Sequence, residues 1–405
     1  MSVPEIKSIG DTYQLHWQDE HILMNIDHIT EGDAITGEFT VSLNGNQSLQ
    51  HIYQGRLNML SVTGKKSFVD ALKKRLDLEW DTIIEQACYK TIKAYRQGEP
   101  VVQIGNLPER SKNRYILYPY VMADSMTTIY GYGGSCKSYL AAFIALMIQT
   151  GVDCIGFYPI KSNVMILDWE ACKEDWDERI KAIRVGMGIQ SDELPYYKRC
   201  YRTLADDILE IQRETLAHDI KMVIIDSVGM ASGISDSFHS SAIQMLRAAR
   251  SLKLPILLID HKSKANEIFG SVYKQNEVRS AFEIVNNQEE GADTVYISVE
   301  HTKMNNGPKT KRIGFEIEFI GDENITEVAT FKRIDVTNIP ELSKNLPLKD
   351  RIIGELKHGS MSVALLSEAL EIKEDSLRVI LNRHKDKFIK LSNGNWGLVE
   401  KGGLQ

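Results

Sequence analysis

An α/β fold with a parallel central sheet is predicted for the middle of this 405-residue chain, and three observations predict it. Short β-prone runs at 127–130, 163–168, 221–226 and 254–260 alternate with stretches of helical period, as strands buried on both faces require. The first run leads into Gly131-Tyr132-Gly133-Gly134-Ser135-Cys136-Lys137-Ser138 and then into an apolar helix over 139–148. Strand, glycine-rich loop and helix in that order make a phosphate-binding site. The third run carries its apolar residues up to Asp226, which puts a carboxylate at the carboxyl edge of a buried strand.

The loop explains its own spacing. Successive N–H groups of a glycine-rich turn point inward at phosphate oxygens, and the following helix adds its positive dipole end. Gly131, Gly133 and Gly134 permit the turn, with Tyr132, Ser135, Cys136 and Tyr139 completing the nucleotide-binding stretch. Lys137 is expected to reach the β- and γ-phosphates, the Ser138 hydroxyl to sit on Mg²⁺, and Asp226 to supply the second metal contact. Cys136 stands where glycine usually precedes the lysine, so its Cβ either crowds the turn or demands a positive φ. A nucleotide site with weak turnover is the reading this substitution keeps open. As a thiol at a helix N-terminus beside Lys137, it is also expected to have a lowered pKa.

The run 163–168 continues into Trp169-Glu170-Ala171-Cys172-Lys173. If its strand adjoins the phosphate-loop strand, Glu170 can polarise the water that attacks the γ-phosphate. Asp168 is the rival for that role, and either acid can instead cap the acidic helix that follows. Further on, 294–299 and 313–319 alternate with period two about the turn Asn306-Gly307-Pro308, predicting a hairpin. Lys303, Lys309, Lys311 and Arg312 flank the turn and form a local basic patch, suited to the phosphates of nucleic acid or of a neighbour's nucleotide, or simply to solvent.

Bulk properties narrow the class. Net charge is -7, so no global basic field marks a nucleic-acid binder and any such contact must be local. Five cysteines, an odd number without metal-ligand spacing, suit a reducing cytosol, and neither a signal pattern nor a membrane-length apolar run is present. A cytoplasmic protein with no membrane partner is expected.

The flanks differ in texture. Residues 1–118 read as an α+β accessory domain for oligomer contacts or partner binding. Strands are expected at 13–17 and 35–43, then a helix capped by Ser67, then a second whose one face carries Trp80, Ile83, Ile84, Ala87, Cys88, Thr91 and Ile92. His21, Asp27 and His28 read as scattered, solvated residues. After Pro340 and Pro347, residues 345–405 read as three short helices and a hairpin about Asn393-Gly394, a winged-helix pattern. On its third helix Leu377, Ile380, Leu381 and His384 should face the core, while Arg378, Asn382 and Lys385 face outward to DNA or to a protein partner.

The ordered set Gly131–Ser138, Ile166-Leu167-Asp168-Trp169-Glu170 with Arg179, Ile224-Ile225-Asp226-Ser227, Ile259-Asp260-His261-Lys262-Ser263-Lys264 and Lys303-Met304-Asn305-Asn306-Gly307 resembles the RecA-like ATPases. Within them it is similar to the hexameric RepA-type helicases of phages and mobile elements. The resemblance covers 119–338 and implies a RecA-like P-loop ATPase core that uses ATP and Mg²⁺. It implies a homo-oligomer, a hexamer in this group, that works on DNA, single-stranded DNA in the first instance. Glu170 falls on the catalytic glutamate and His261 on the histidine that senses nucleotide state. Phe269-Gly270-Ser271-Val272-Tyr273 with Arg279 resembles a Gly-Ser segment and its arginine. Arg279 is either a finger acting across a subunit interface or an arginine tied to the sheet by a local salt bridge. Lys303 with Asn305 resembles the lysine-led hairpin at the same interface, although the replicative relatives commonly carry arginine at the position of Asn305. A loader, recombination mediator or regulator that hydrolyses ATP without unwinding is the alternative.

Overall fold

The computed structural model describes residues 2–9, 12–44, 49–97, 103–105, 114–233, 238–262, 278–323, 325–344 and 346–399. The chain divides into two compact units, one made of Met1–Lys112, Asp206–Glu214 and Ala248–Lys253, the other of the remainder.

In the first unit, β1 (Glu5–Ile9), β2 (Thr12–Trp17), β3 (Ile22–Glu31), β4 (Ile35–Asn44) and β5 (Leu49–Asn58) form an antiparallel meander in chain order. Alternation buries Leu15, Trp17, Ile22, Met24, Ile26, Phe39 and Val41 on one face. Two helices follow, α1 (Val62–Lys73) and α2 (Trp80–Gln97), and α2 buries Trp80, Ile83, Ile84, Ala87, Cys88 and Thr91 as its period predicts. The expected cap at Ser67 is wrong, because α1 starts a turn and a half earlier. Ser61 caps it by accepting the Gly64 N–H at 3.0 Å. Its first turn is exposed, with Val62 facing solvent, so apolar periodicity could not mark where it began.

The second unit opens with the short pair β6 (Tyr115–Leu117) and β7 (Val121–Met122). Its main sheet contains β8 (Met126–Gly131), β9 (Val164–Asp168), β10 (Tyr196–Arg199), β11 (Met222–Asp226), β12 (Ile256–His261), β13 (Ser280–Asn287), β14 (Thr294–Met304), β15 (Ile313–Gly321) and β16 (Thr326–Ile334). The order is β10-β9-β11-β12-β8-β13-β14-β15-β16. Strands β10 to β13 run parallel, whereas β13 to β16 run antiparallel, so the expected parallel centre is extended on one side by a meander. The helices between these strands in sequence are α3 (Lys137–Thr150), α4 (Lys173–Gly186), α5 (Leu204–Ala217), α6 (Val228–Ser232) and α7 (Phe238–Ser251), of which most of α5 and the end of α7 are counted in the first unit.

Helix α3 is apolar all round, and Leu140 through Ile148 are fully buried. It packs into the core with Phe143 stacked on Phe331 at 4.4 Å, which anchors the helix whose N-terminus carries the phosphate loop. Past β16, helices Leu348–Lys357, Val363–Leu370 and Glu374–Arg383 and the hairpin β17 (Phe388–Lys390) to β18 (Trp396–Leu398) enclose a separate core of Ile352, Leu356, Leu366, Leu370, Leu377, Leu381, Phe388 and Trp396. Among the described residues, no helix is long and apolar enough to cross a membrane.

Candidate nucleotide site

Strand order sets out the site. The contiguous strands β8, β12, β11 and β9 are parallel, and their carboxyl ends lie side by side. Gly131 is level with His261, and Asp226 with Asp168. The four ends therefore present, in series, the phosphate loop, a histidine, a carboxylate and the turn bearing Glu170. The condition that strand 163–168 adjoin the phosphate-loop strand is not met, because β11 and β12 separate them. Glu170 still reaches the site because Trp169 steps past the end of β9 and donates its N–H to the Asp226 carbonyl at 2.7 Å.

The loop folds as its glycines permit. A Cβ on Gly131 would lie 2.5 Å from the Ile284 carbonyl oxygen, so no other residue fits there without a backbone shift. Gly134 has φ of +73°, and Cys136 follows at φ 61° and ψ 23°, also left-handed. Of the two sequence alternatives for Cys136, the positive φ is the one adopted. Lys137, 5% exposed, donates to the Gly131 carbonyl at 3.1 Å, the Tyr132 carbonyl at 2.6 Å and Ser135 Oγ at 3.4 Å. Burial lowers its pKa, against the pull of Asp226, Glu170 and Asp260.

Ser138 Oγ donates to Asp226 Oδ2 at 3.0 Å, which joins the two proposed metal contacts. Asp226 is 4% exposed, and burial pushes its pKa up to about 6, with Glu170 and Asp168 adding to the rise and Ser138 opposing it. His261 Nε2 donates to Glu170 at 3.2 and 3.3 Å from its two oxygens. That hydrogen bond raises the histidine pKa and lowers that of Glu170.

Asp168 has a different job. Fully buried, it accepts the N–H groups of Glu170 at 2.9 Å and Ala171 at 3.0 Å, the Tyr197 hydroxyl at 2.8 Å and Arg199 Nη1 at 3.2 Å. With both oxygens engaged it shapes the turn, leaving Glu170 as the acid at the pocket. Tyr197 is pushed up in pKa, by burial first and then by Asp168.

These groups line one pocket of about 430 Å³, with Gly134, Ser135, Cys136, Lys137, Ser138, Tyr139, Glu170, Asp226 and His261 all in its wall. Gly131, Tyr132 and Gly133 lie outside the lining, although Lys137 is bonded to the first two. Arg179, which sequence reading placed in the motif set without a site role, also lines the pocket from α4. Its Nη1 is buried without a hydrogen-bond partner among the described residues, and the guanidinium lies 5.8 Å from the Tyr139 ring. An arginine nine residues after the glutamate is the signal that could have found it.

The expected activation of Cys136 is corrected. Burial pushes its thiol up to about 11, outweighing Lys137. The half-buried thiol packs against the core at the pocket wall, and the desolvation a sequence cannot display decides the sign. Replacing Cys136 with glycine should relieve the left-handed backbone and raise stability by about 1 kcal/mol, read by denaturant melts. In the unmodified protein, alkylation should reach exposed Cys172 well before Cys136, checked by peptide mass mapping.

The remaining candidates lie elsewhere. Arg279 precedes β13 and donates its N–H to the Met126 carbonyl, at the opposite end of β8 from the loop. Its side chain is exposed and has no hydrogen-bond or ion-pair partner among the described residues. Lys303 pairs with Ala281, which is level with Thr128, so at 3.3 Å per residue Arg279 lies about 17 Å and Lys303 about 10 Å along β8 from the loop. The segment Phe269–Tyr273 lies outside the described residues. Lys309 and Lys311 are exposed on the turn, whereas Arg312 is held by Glu300 and donates to Ser298 Oγ at 3.4 Å. In the C-terminal part, Arg378, Asn382 and Lys385 share a cleft of about 700 Å³ with Lys390 and Gly394 of the hairpin. Arg378 is paired with Glu374 at 2.7 Å.

Residues 96–267 match the family model of the AAA domain. That stretch, less than half of the chain, is similar to the AAA domain. The crystal structure of a KaiC-like protein from Pyrococcus horikoshii is 12% identical to the chain, covering 55% of this chain and 98% of that one, with a TM-score of 0.39. No curated protein matches.

Proposed function

We propose that this protein is an ATPase, a Mg²⁺-dependent, ATP-driven motor acting on DNA, a RepA-type helicase or translocase of a phage, plasmid or mobile element working as a cytoplasmic homo-oligomer, a hexamer. One observation carries the reading: Lys137, the Ser138–Asp226 pair and the Glu170–His261 pair meet in a single pocket at adjoining strand ends. Lys137 would bind the β- and γ-phosphates, and Ser138 and Asp226 would hold Mg²⁺, which would supply positive charge against the phosphates. Glu170 would take the proton of the attacking water. His261, sharing hydrogen bonds with Glu170, is placed to register whether the γ-phosphate is there.

Arg279 lies at the far end of β8 from the loop, which supports its service to a neighbouring subunit's nucleotide rather than its own, and Lys303 lies part-way along the same strand. The C-terminal helices and hairpin support a winged-helix reading, with Arg378, Asn382 and Lys385 on one cleft. Residues 1–118 then serve as the accessory domain. The non-unwinding alternative gains from Arg312 and Arg378, whose charges are already matched by Glu300 and Glu374.

Steady-state hydrolysis with and without single-stranded DNA, beside strand displacement, tests the proposal. Stimulation and unwinding, both lost in Lys137→Ala, are expected. Hydrolysis indifferent to DNA would overturn the motor, and stimulation without displacement would favour the alternative.

A further inference from the structure

The N-terminal sheet gathers metal-ligating side chains that the sequence scatters. Asp27 and Glu38 are direct cross-strand partners on β3 and β4. Met24 and Ile26 face the core, so by alternation Asp27 and Glu38 share the opposite face. On a regular strand, the residue after Asp27 would turn to the core side. A register shift follows Asp27 instead, and His28 adopts φ 46°, which returns its imidazole to the carboxylates. His28 Nδ1 lies 3.1 Å from Asp27 Oδ1 and 3.7 Å from Glu38 Oε2. One ligating atom from each of the three residues lies within 4.8 Å of the others.

Two features separate this group from an ordinary surface ion pair. The Asp27 side chain is only 8% exposed, and among the described residues its sole hydrogen-bond or ion-pair partner is His28. A buried carboxylate calls for a cation, and a neutral imidazole offers it one N–H at most. The spacing is the second feature. A tetrahedral zinc ion with bonds of about 2.0–2.2 Å has ligand-to-ligand edges near 3.4 Å, a length that the two measured separations bracket. The outer shell is also in place. Glu38 Oε1 lies 4.0 Å from Arg56 Nη1, and Arg56 donates to the hydroxyls of Thr30 and Thr36, so the orientation of the glutamate is held from behind. His28, 42% exposed, leaves a further position open to water.

We propose that Asp27, His28 and Glu38 bind one divalent transition-metal ion of the zinc class, separate from any metal at the nucleotide. The imidazole nitrogen selects against Mg²⁺ and Ca²⁺, which prefer all-oxygen sets. The site does not depend on the motor reading, and its test does not use ATP turnover.

The full chain, stripped of metal and free of nucleotide, is dialysed against Zn²⁺ alone and compared with His28→Asn, Asp27→Asn and Glu38→Gln. Asparagine tolerates the left-handed backbone at position 28, so that variant removes the ligand and keeps the bulge. The unmodified chain is expected to hold one more equivalent of Zn²⁺ than each variant, or to hold that equivalent at least tenfold more tightly. Zn²⁺ should raise its Tm by several degrees more than it raises theirs, while all four proteins unfold alike in metal-free buffer. Equal stoichiometry and equal Tm shifts in the unmodified chain and in His28→Asn would overturn the proposal. Zn²⁺ bound through cysteines or Asp226 gives that same equality.

Discussion

Replacing Asp226 with asparagine should make the nucleotide-free protein more stable at pH 8 while abolishing its use of Mg²⁺. The carboxyl is buried and its pKa lies at about 6, above the ordinary value of 3.8. A raised folded-state pKa means that the native protein keeps its proton longer than the unfolded chain. The contribution is therefore fully present below pH 3.8 and is lost as pH rises through 6. Across that window a shift of roughly two units corresponds to a penalty of about 3 kcal/mol for holding the ionised group in the fold. A neutral amide in place of the carboxylate would escape that penalty and could still accept the Ser138 hydroxyl. Urea melts at pH 4 and pH 8 check it: the variant should gain at pH 8 and show little difference at pH 4. ATP with Mg²⁺ should stabilise the unmodified protein and leave the variant nearly unmoved. A variant less stable at pH 8 would show that Asp226 is held for structure.

Glu170→Gln carries the second large effect. On the proposed reading Glu170 is the general base, whose removal costs about 10²–10⁴ in turnover, and the loop supplies the phosphate contacts, so ATP binding should stay within a few-fold. The pH profile adds a sign. At lower pH the protonated His261 holds Glu170 in its hydrogen bond, and as pH rises through the raised histidine pKa the carboxylate is released. Turnover of the unmodified enzyme should therefore climb through that pKa. In Glu170→Gln the histidine loses the group that raises it, so its titration, followed by NMR, should move to lower pH. The same pair contributes to stability only while His261 is protonated and Glu170 ionised. It fades as pH rises through the histidine pKa or falls through the lowered glutamate pKa. Both side chains are 39–46% exposed, and solvent screening keeps that contribution small.

Much of this site was legible because the chemistry is local. The loop Gly131–Ser138, the apolar helix behind it and the acid closing strand β11 each follow from a few adjacent residues, and turn geometry, helix period and strand period act over that range. Residues 294–319 show the same locality, since alternation about Asn306-Gly307 predicts a hairpin whatever lies beside it. Failures came where a neighbour distant in sequence decides. Ser67 looked like a cap because the first turn of α1 has no apolar stripe. Cys136 looked activated because Lys137 is adjacent, whereas the core that buries the thiol comes from the rest of the sheet. Asp168 stood as the rival of Glu170 until Tyr197 and Arg199, some thirty residues away, claimed it.

By itself, then, the sequence determined that this protein builds a phosphate cradle at the head of a buried helix, with carboxylates at the ends of buried strands. Backbone sterics and side-chain periodicity act along the chain and need no other partner. Tertiary structure decided the order β9-β11-β12-β8, and with it the meeting of Glu170, Asp226 and His261 over the loop. It also decided the sign of the shift at Cys136 and the grouping of Asp27, His28 and Glu38. Strand neighbours and desolvation arise only when distant segments pack, and no window along the chain contains them.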